Sequence, residues 1–322
     1  MLSRVAESLY WMSRYIERAE NIARFIDVNL HLILDIPIGM RQQWAPLITV
    51  TGDGDIFAER YEEAKLDTVI QFLTFDKEYS NSILGCLISA RENARSIREV
   101  ISSEMWESIN DFYLLVASKS SKTDALDNPH AFFSKIKMGS QKFIGISEVT
   151  MSHGEGWHFL QLGNLVERAD KTSRILDVKY FILLPGAEYI GTPYDNIQWT
   201  AVLKSASALE MYRKRFHRIL PSQVADFLIF DGEFPRAIRY CVVNADESLH
   251  VITGSQPGTF LNEAERRLGR LRAEIDYSTV DEVLDIGLHQ YLDSFQAKLN
   301  IVDNAIFNTF FALRPPKTYM RV

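Results

Sequence analysis

Two stretches of this chain, 150 positions apart, carry almost the same message. Glu17-Arg-Ala-Glu-Asn-Ile-Ala-Arg-Phe-Ile-Asp-Val28 returns as Glu167-Arg-Ala-Asp-Lys-Thr-Ser-Arg-Ile-Leu-Asp-Val178. At an offset of 155, Gln43-Trp44 matches Gln198-Trp199, and Phe72-Leu-Thr-Phe-Asp-Lys-Glu-Tyr79 matches Phe227-Leu-Ile-Phe-Asp-Gly-Glu-Phe234. The register then holds through Ile83/Ile238, Cys86/Cys241, Ala90/Ala245 and Glu92/Glu247. Shared helical composition can imitate one such match, but not an ordered series with a single five-residue slip. The pattern predicts one domain over 1–322, built from two pseudo-equivalent helical units at 1–150 and 151–322. Their long first helices, beginning near Leu2 and Trp157, are expected to pack together.

Helical periodicity runs through both units. Met12, Tyr15, Ile16, Ala19, Ile22, Ala23, Ile26, Leu30 and Ile33 fall on one side of a helix that turns about 100° per residue. Pro37 and Gly39 should stop it. Similar patterns cover 67–73, 79–102, 104–117 and 131–151, then 157–183, 199–220, 223–230, 235–251, 260–275 and 280–313. Breakers separate them at 52–55, 124–129, Pro185-Gly186, Gly191–Pro193 and Gly254–Gly258. Alternation of the strand type is scarce, so the expected fold is an all-α helical bundle.

With 42 acids against 35 bases, the net charge of −7 argues against a general nucleic-acid or anionic-membrane binder. The most apolar stretch near the start of the second half, 180–185, is far too short to span a bilayer. Charges at the amino terminus stand where a signal peptide needs an apolar core. Two cysteines inside apolar helical patterns read as reduced thiols packed as small hydrophobes, which fits a cytoplasmic protein.

Glu17, Glu20, Arg24 and Asp27 form one stripe on the first helix, and Glu167, Asp170, Arg174 and Asp177 repeat it. A solvated face would let such charges drift. Glu-Arg-Ala, the later Arg and the Asp stay in register while their neighbours diverge. Each stripe is therefore expected to meet something fixed: a second helical layer, a partner, or an anionic or metal-bound ligand. Arg18 and Arg168 belong to the same motif. A second polar cluster, Arg91-Glu92-Asn93 with Arg95 and Arg98, offers guanidinium groups that suit a carboxylate or phosphate, or that pair internally with Glu17, Asp27 or their counterparts in the second unit. The second unit has Asp246-Glu247-Ser248 and His250 there, so a ligand site would be asymmetric, with Arg236 adding charge. Glu155/His158 and Glu247/His250 have the i, i+3 spacing of di-iron bundles. A metal set of Glu17, Glu92, Glu247 and His250 is one expectation from that spacing. Nucleotide-binding glycine loops, zinc spacings and nucleophile elbows are missing from the sequence.

The opening Met1-Leu-Ser-Arg-Val-Ala-Glu-Ser-Leu-Tyr-Trp-Met-Ser-Arg-Tyr-Ile-Glu-Arg-Ala-Glu-Asn-Ile-Ala-Arg24 resembles the start of the bacterial alpha-E family. Ala90–Arg95 through Trp106-Glu107, Gly156–Gly163 with Glu167-Arg-Ala-Asp170, and Phe234-Pro-Arg236 resemble further motifs of that family. The resemblance covers essentially the whole chain. It implies an all-helical protein working beside a circularly permuted ATP-grasp amide ligase and a transglutaminase-like peptidase, in the synthesis or processing of a peptide or peptide tag. What it implies is a pathway rather than a reaction, and it names no cofactor. The leading expectation is an accessory protein that docks to the ligase. The alternative is a helical enzyme using Glu17, Glu92 and Glu167 with Arg91, Arg95 and Arg168 on a carboxylate- or phosphate-bearing peptidic substrate, with or without a metal.

Overall fold

The computed structural model describes residues 1–35, 44–181 and 193–312. Among the described residues there are sixteen α-helices and no strand. The first half holds α1 (Ser3–Asp35), α2 (Ala45–Thr51), α3 (Gly54–Ala58), α4 (Leu66–Ile70), α5 (Ile83–Ser96), α6 (Ser103–Ala117), α7 (Ser121–Asp127) and α8 (Pro129–Thr150). The second holds α9 (Glu155–Phe181), α10 (Pro193–Ser205), α11 (Leu209–Arg215), α12 (Pro221–Phe230), α13 (Ile238–Thr253), α14 (Glu263–Tyr277), α15 (Val280–Ile286) and α16 (Leu288–Ile306). Single π-helical turns extend α4 over Gln71–Phe75 and α16 over Phe307–Phe311. No described helix is long and apolar enough to cross a membrane.

The two long helices, α1 and α9, pack against each other more extensively than any other pair, and the rest surround them. On α1 the remaining faces are taken by α5, α8 and α10, and on α9 by α13, α16 and α2. A helix enclosed on all sides is usually apolar all round. Here α1 buries Met12, Ile16 and Ile26 on one side and Glu17, Glu20, Asn21 and Arg24 on the other. Those polar side chains therefore need partners inside the protein.

Small residues let the two helices approach closely. A Cβ on Gly163 would lie 2.3 Å from the backbone oxygen of Tyr10 and 2.5 Å from Ser13 Oγ, so α9 touches α1 there backbone to backbone. Serine and asparagine caps fix where the surrounding helices begin: Ser82 accepts from Gly85 N–H, Ser102 from Met105 N–H and Asn262 from Glu265 N–H.

Two expected helices are each divided. The 199–220 pattern breaks around Ser207, which has a positive φ of 50°, and 280–313 breaks at Gly287, at φ 100°. Only the second break has the residue that such a backbone favours. The 79–102 helix starts four residues later, at Ile83 behind the Ser82 cap, and ends at Ser96. Helices α2, α3 and α7 were not anticipated, because five to seven residues carry too little period to read. The expected stops at Pro37–Gly39, Pro185-Gly186 and the Gly191 end of the third lie outside the described residues.

Candidate functional site

The Glu-Arg dipeptides at 17–18 and 167–168 meet across the α1–α9 seam in a reciprocal exchange. Arg18 grips Glu167 through both sides of its fork, with Nε to Oε1 at 2.7 Å and Nη2 to Oε2 at 2.9 Å. In the other direction Arg168 Nη2 donates to Glu17 Oε2 at 2.8 Å. Neither glutamate side chain is exposed at all. Such charges are tolerated in an interior only when both oxygens are engaged.

Each glutamate then recruits a different second set. Glu17 accepts from Asn164 Nδ2 at 3.1 Å, Asn21 Nδ2 at 2.8 Å and Arg236 Nη1 at 2.9 Å. Arg236 also reaches Glu20 Oε1 at 2.6 Å, and Arg24 closes on the same oxygen. The break after α10 serves this cluster, because Ser207 Oγ accepts from Arg24 Nη1 at 2.5 Å. Around Glu167, Arg14 Nε donates to Oε2 at 2.9 Å and Lys171 Nζ lies 3.5 Å from Oε1. Lys171 and Arg174 hold Asp170 at 2.9 and 3.0 Å. Arg14 continues to Asp303 on α16, whose Oδ1 also accepts from Tyr10.

The substitutions between the two centres follow the sequence offsets. Arg14 matches Asn164, and Asn21 matches Lys171, at 150; Asn81 matches Arg236 at 155. Asn81 does not reach a glutamate; its Oδ1 accepts from Arg18 Nη1 at 2.7 Å. Beside it opens a cavity of about 200 Å³ whose wall includes Arg14, Arg18, Asn81, Lys171 and Asp303.

Electrostatically both centres favour the ionised state. Burial by itself would raise the Glu17 carboxyl, but Arg168 and Arg236 outweigh it and hold it below the usual carboxylate range. At Glu167 burial is likewise overcome, by Arg18, Lys171 and Arg14. Asp170 is lowered by Lys171 and Arg174 against burial. Carboxylates held this way do not donate protons near neutral pH. Burial pushes both thiols, Cys86 and Cys241, up to about 12, and both are free of disulfides.

Asp27 and Asp177 leave the seam for the outer layer. Asp27 meets His130 Nδ1 at 2.7 Å and Lys137 Nζ at 2.5 Å, both on α8. Asp177 meets His289 Nδ1 at 2.8 Å on α16. Of the two readings of the α5 arginines, internal pairing with Glu17 or Asp27 does not occur. Arg91 donates to Asn110 at 2.9 Å and stacks by Trp106 and Tyr113; Arg95 pairs with Glu92 at 2.6 Å on an exposed surface. Asn93 accepts from Ser96 Oγ through its backbone. Arg91 thus lies against α6 and Arg95 on the outside of α5, and neither pairs with Glu17 or Glu167.

The expected metal set is not assembled either. Glu17 is occupied by two guanidinium groups, Glu92 and Glu247 are exposed, and His250 is buried against Ser255 Oγ at 2.6 Å. Among the described residues no three His, Cys, Asp or Glu side chains come together in a metal-holding group. Wider clefts, about 610 Å³ along α14–α16 and about 700 Å³ between α13 and α14, lie apart from the seam. Arg14, Asn164, Asn81, Lys171 and Asp303 had no place in the sequence expectations. Extending the offset by one helical turn, from 18/168 to 14/164, would have exposed the first two.

Uncharacterized proteins of Mycobacterium bovis and Mycobacterium tuberculosis are 24% identical to the chain over 334 residues, covering 96% of it. The chain spans 37% of the length of those relatives. No solved structure matches. A family described as a predicted alpha-helical domain with a conserved ER motif matches residues 1–311. With its helices and its cross-paired Glu-Arg dipeptides, the chain belongs to that family, Alpha-E.

Proposed function

We propose that this chain is a cytoplasmic accessory protein that docks to an ATP-grasp amide ligase, beside a transglutaminase-like peptidase, in making or modifying a peptide. In this reading the Glu-Arg motifs clamp the two long helices of two diverged helical units, and the surrounding helices present the docking surface. The observation that carries it is the saturation of Glu17 and Glu167. Each buried carboxylate is held by two or more cations and kept ionised, which suits a clamp and leaves neither glutamate as a proton donor. The resemblance to the alpha-E pattern supplies the partner. Support also comes from the mycobacterial relatives, where the matched region belongs to a much longer chain, so a unit of this kind works there joined to other sequence. The free, buried thiols suit a reducing compartment.

Co-expression with a circularly permuted ATP-grasp amide ligase from the same organism, followed by affinity capture and size-exclusion chromatography, tests the reading. A stable complex is expected at about 10 µM of each protein. Separate elution, together with full ligase turnover without this chain, would end it.

A further inference from the structure

The two Glu-Arg centres are built alike but closed differently. Beside Glu17 the space is filled by Arg236, which reaches Glu17, Glu20 and Asn21 together. At the matched position beside Glu167 stands the shorter Asn81, which stops at Arg18. A cavity of about 200 Å³ has Asn81 in its wall, together with Arg14 and Arg18.

We propose that this cavity is a binding site for a small zwitterion of the α-amino-acid class. The inference rests on the cavity and not on the ligase partnership. Its charges balance: Arg14, Arg18, Lys171 and Arg174 are set against Asp53, Asp170 and Asp303 in the wall and Glu167 behind it. An ion of either sign would enter a balanced site without a counter-charge, and burying an unpaired ion costs several kcal/mol. A zwitterion brings both signs at once. Guanidinium groups have five donors each, so Arg14 and Arg18 can hold a carboxylate while keeping Glu167. The acids suit an ammonium group: Asp303 engages Tyr10 and Arg14 through Oδ1, and Asp53 engages Tyr79 through Oδ2. Ile22, Phe25, Val166 and Leu299 give the same cavity an apolar wall, which favours an aliphatic side chain.

Titration calorimetry of the intact chain with L-leucine, glycine, leucyl-leucine and inorganic phosphate tests this directly. Saturable leucine binding with Kd below about 1 mM is expected, with glycine at least about ten-fold weaker and phosphate unable to compete. Leucine binding more tightly than leucyl-leucine assigns a free amino acid, and the reverse order assigns a short peptide; either supports the site. Asn81→Arg, which copies the closure at Arg236, should weaken leucine about ten-fold or more. Because that variant introduces a buried charge, Asn300→Trp, at an exposed position on the cavity rim, provides a second block and should weaken binding similarly. The proposal falls if neither leucine nor leucyl-leucine saturates by about 20 mM, if phosphate displaces them, or if both variants bind as the parent does.

Discussion

Around Glu17 the protein interior is closed by a second arginine; around Glu167 it is left open to a cavity with more charges but a shorter side chain at the matching place. The same Glu-Arg exchange can thus be finished in two ways. Arg236 completes the first centre from α13's entrance, while the second relies on Arg14 and Lys171 from the two long helices themselves. A motif that looks equivalent on paper therefore gives one clamp closed by Arg236 and one whose guanidinium groups border a cavity.

Acid should affect both centres at once and have the largest effect. An unfolded glutamate takes up a proton near pH 4.3, with folded Glu17 and Glu167 protonating only further down. Below about pH 5 the unfolded chain binds more protons, so stability should fall as pH drops through that window and be insensitive to these groups above it. Denaturant midpoints between about pH 7 and 3 measure this; a flat profile would mean that the centres contribute nothing.

Single substitutions separate the two sides. Glu17→Ala strips Arg168 of its carboxylate in a sealed interior and should cost about 3–5 kcal/mol. Glu167→Ala should cost roughly 2–3 kcal/mol, because the neighbouring cavity admits water to the released cations. Equal losses in urea unfolding would break the sealed-versus-open distinction. Gly163→Ala forces a methyl against the Tyr10 carbonyl and tests the shared seam; a loss of about 1–3 kcal/mol is expected despite alanine's better helix propensity. Arg95→Ala, on the exposed α5 face, should change stability by less than about 0.5 kcal/mol.

The amino-acid pattern disclosed the helical class and the seam, since helical period and internal repetition are local or self-referential signals. It also singled out Glu17, Arg18, Glu167 and Arg168, leaving open whether a second helical layer, a partner or a ligand faces them. Tertiary neighbours were harder. A helical wheel puts Arg91 and Arg95 on a face without saying what covers that face, and here nothing from the seam does. Glu247 and His250 share i, i+3 spacing, yet the edge of the buried arc on α13 runs between them, so one is exposed and the other enclosed. The break at Ser207 had no glycine to announce it. Arg14 and Asn164 went unremarked because they match in place but not in chemistry.

The crossed wiring of the Glu-Arg dipeptides also sets an order of events during synthesis. Glu17 finds Arg168 151 residues downstream, and Arg18 waits for Glu167 149 residues downstream. As the chain leaves the ribosome, the first long helix emerges on the order of ten to thirty seconds before its mate. Over that interval Glu17 and Arg18 have only local partners such as Asn21 and Asn81, so the seam between the two long helices closes only after translation has passed Arg168.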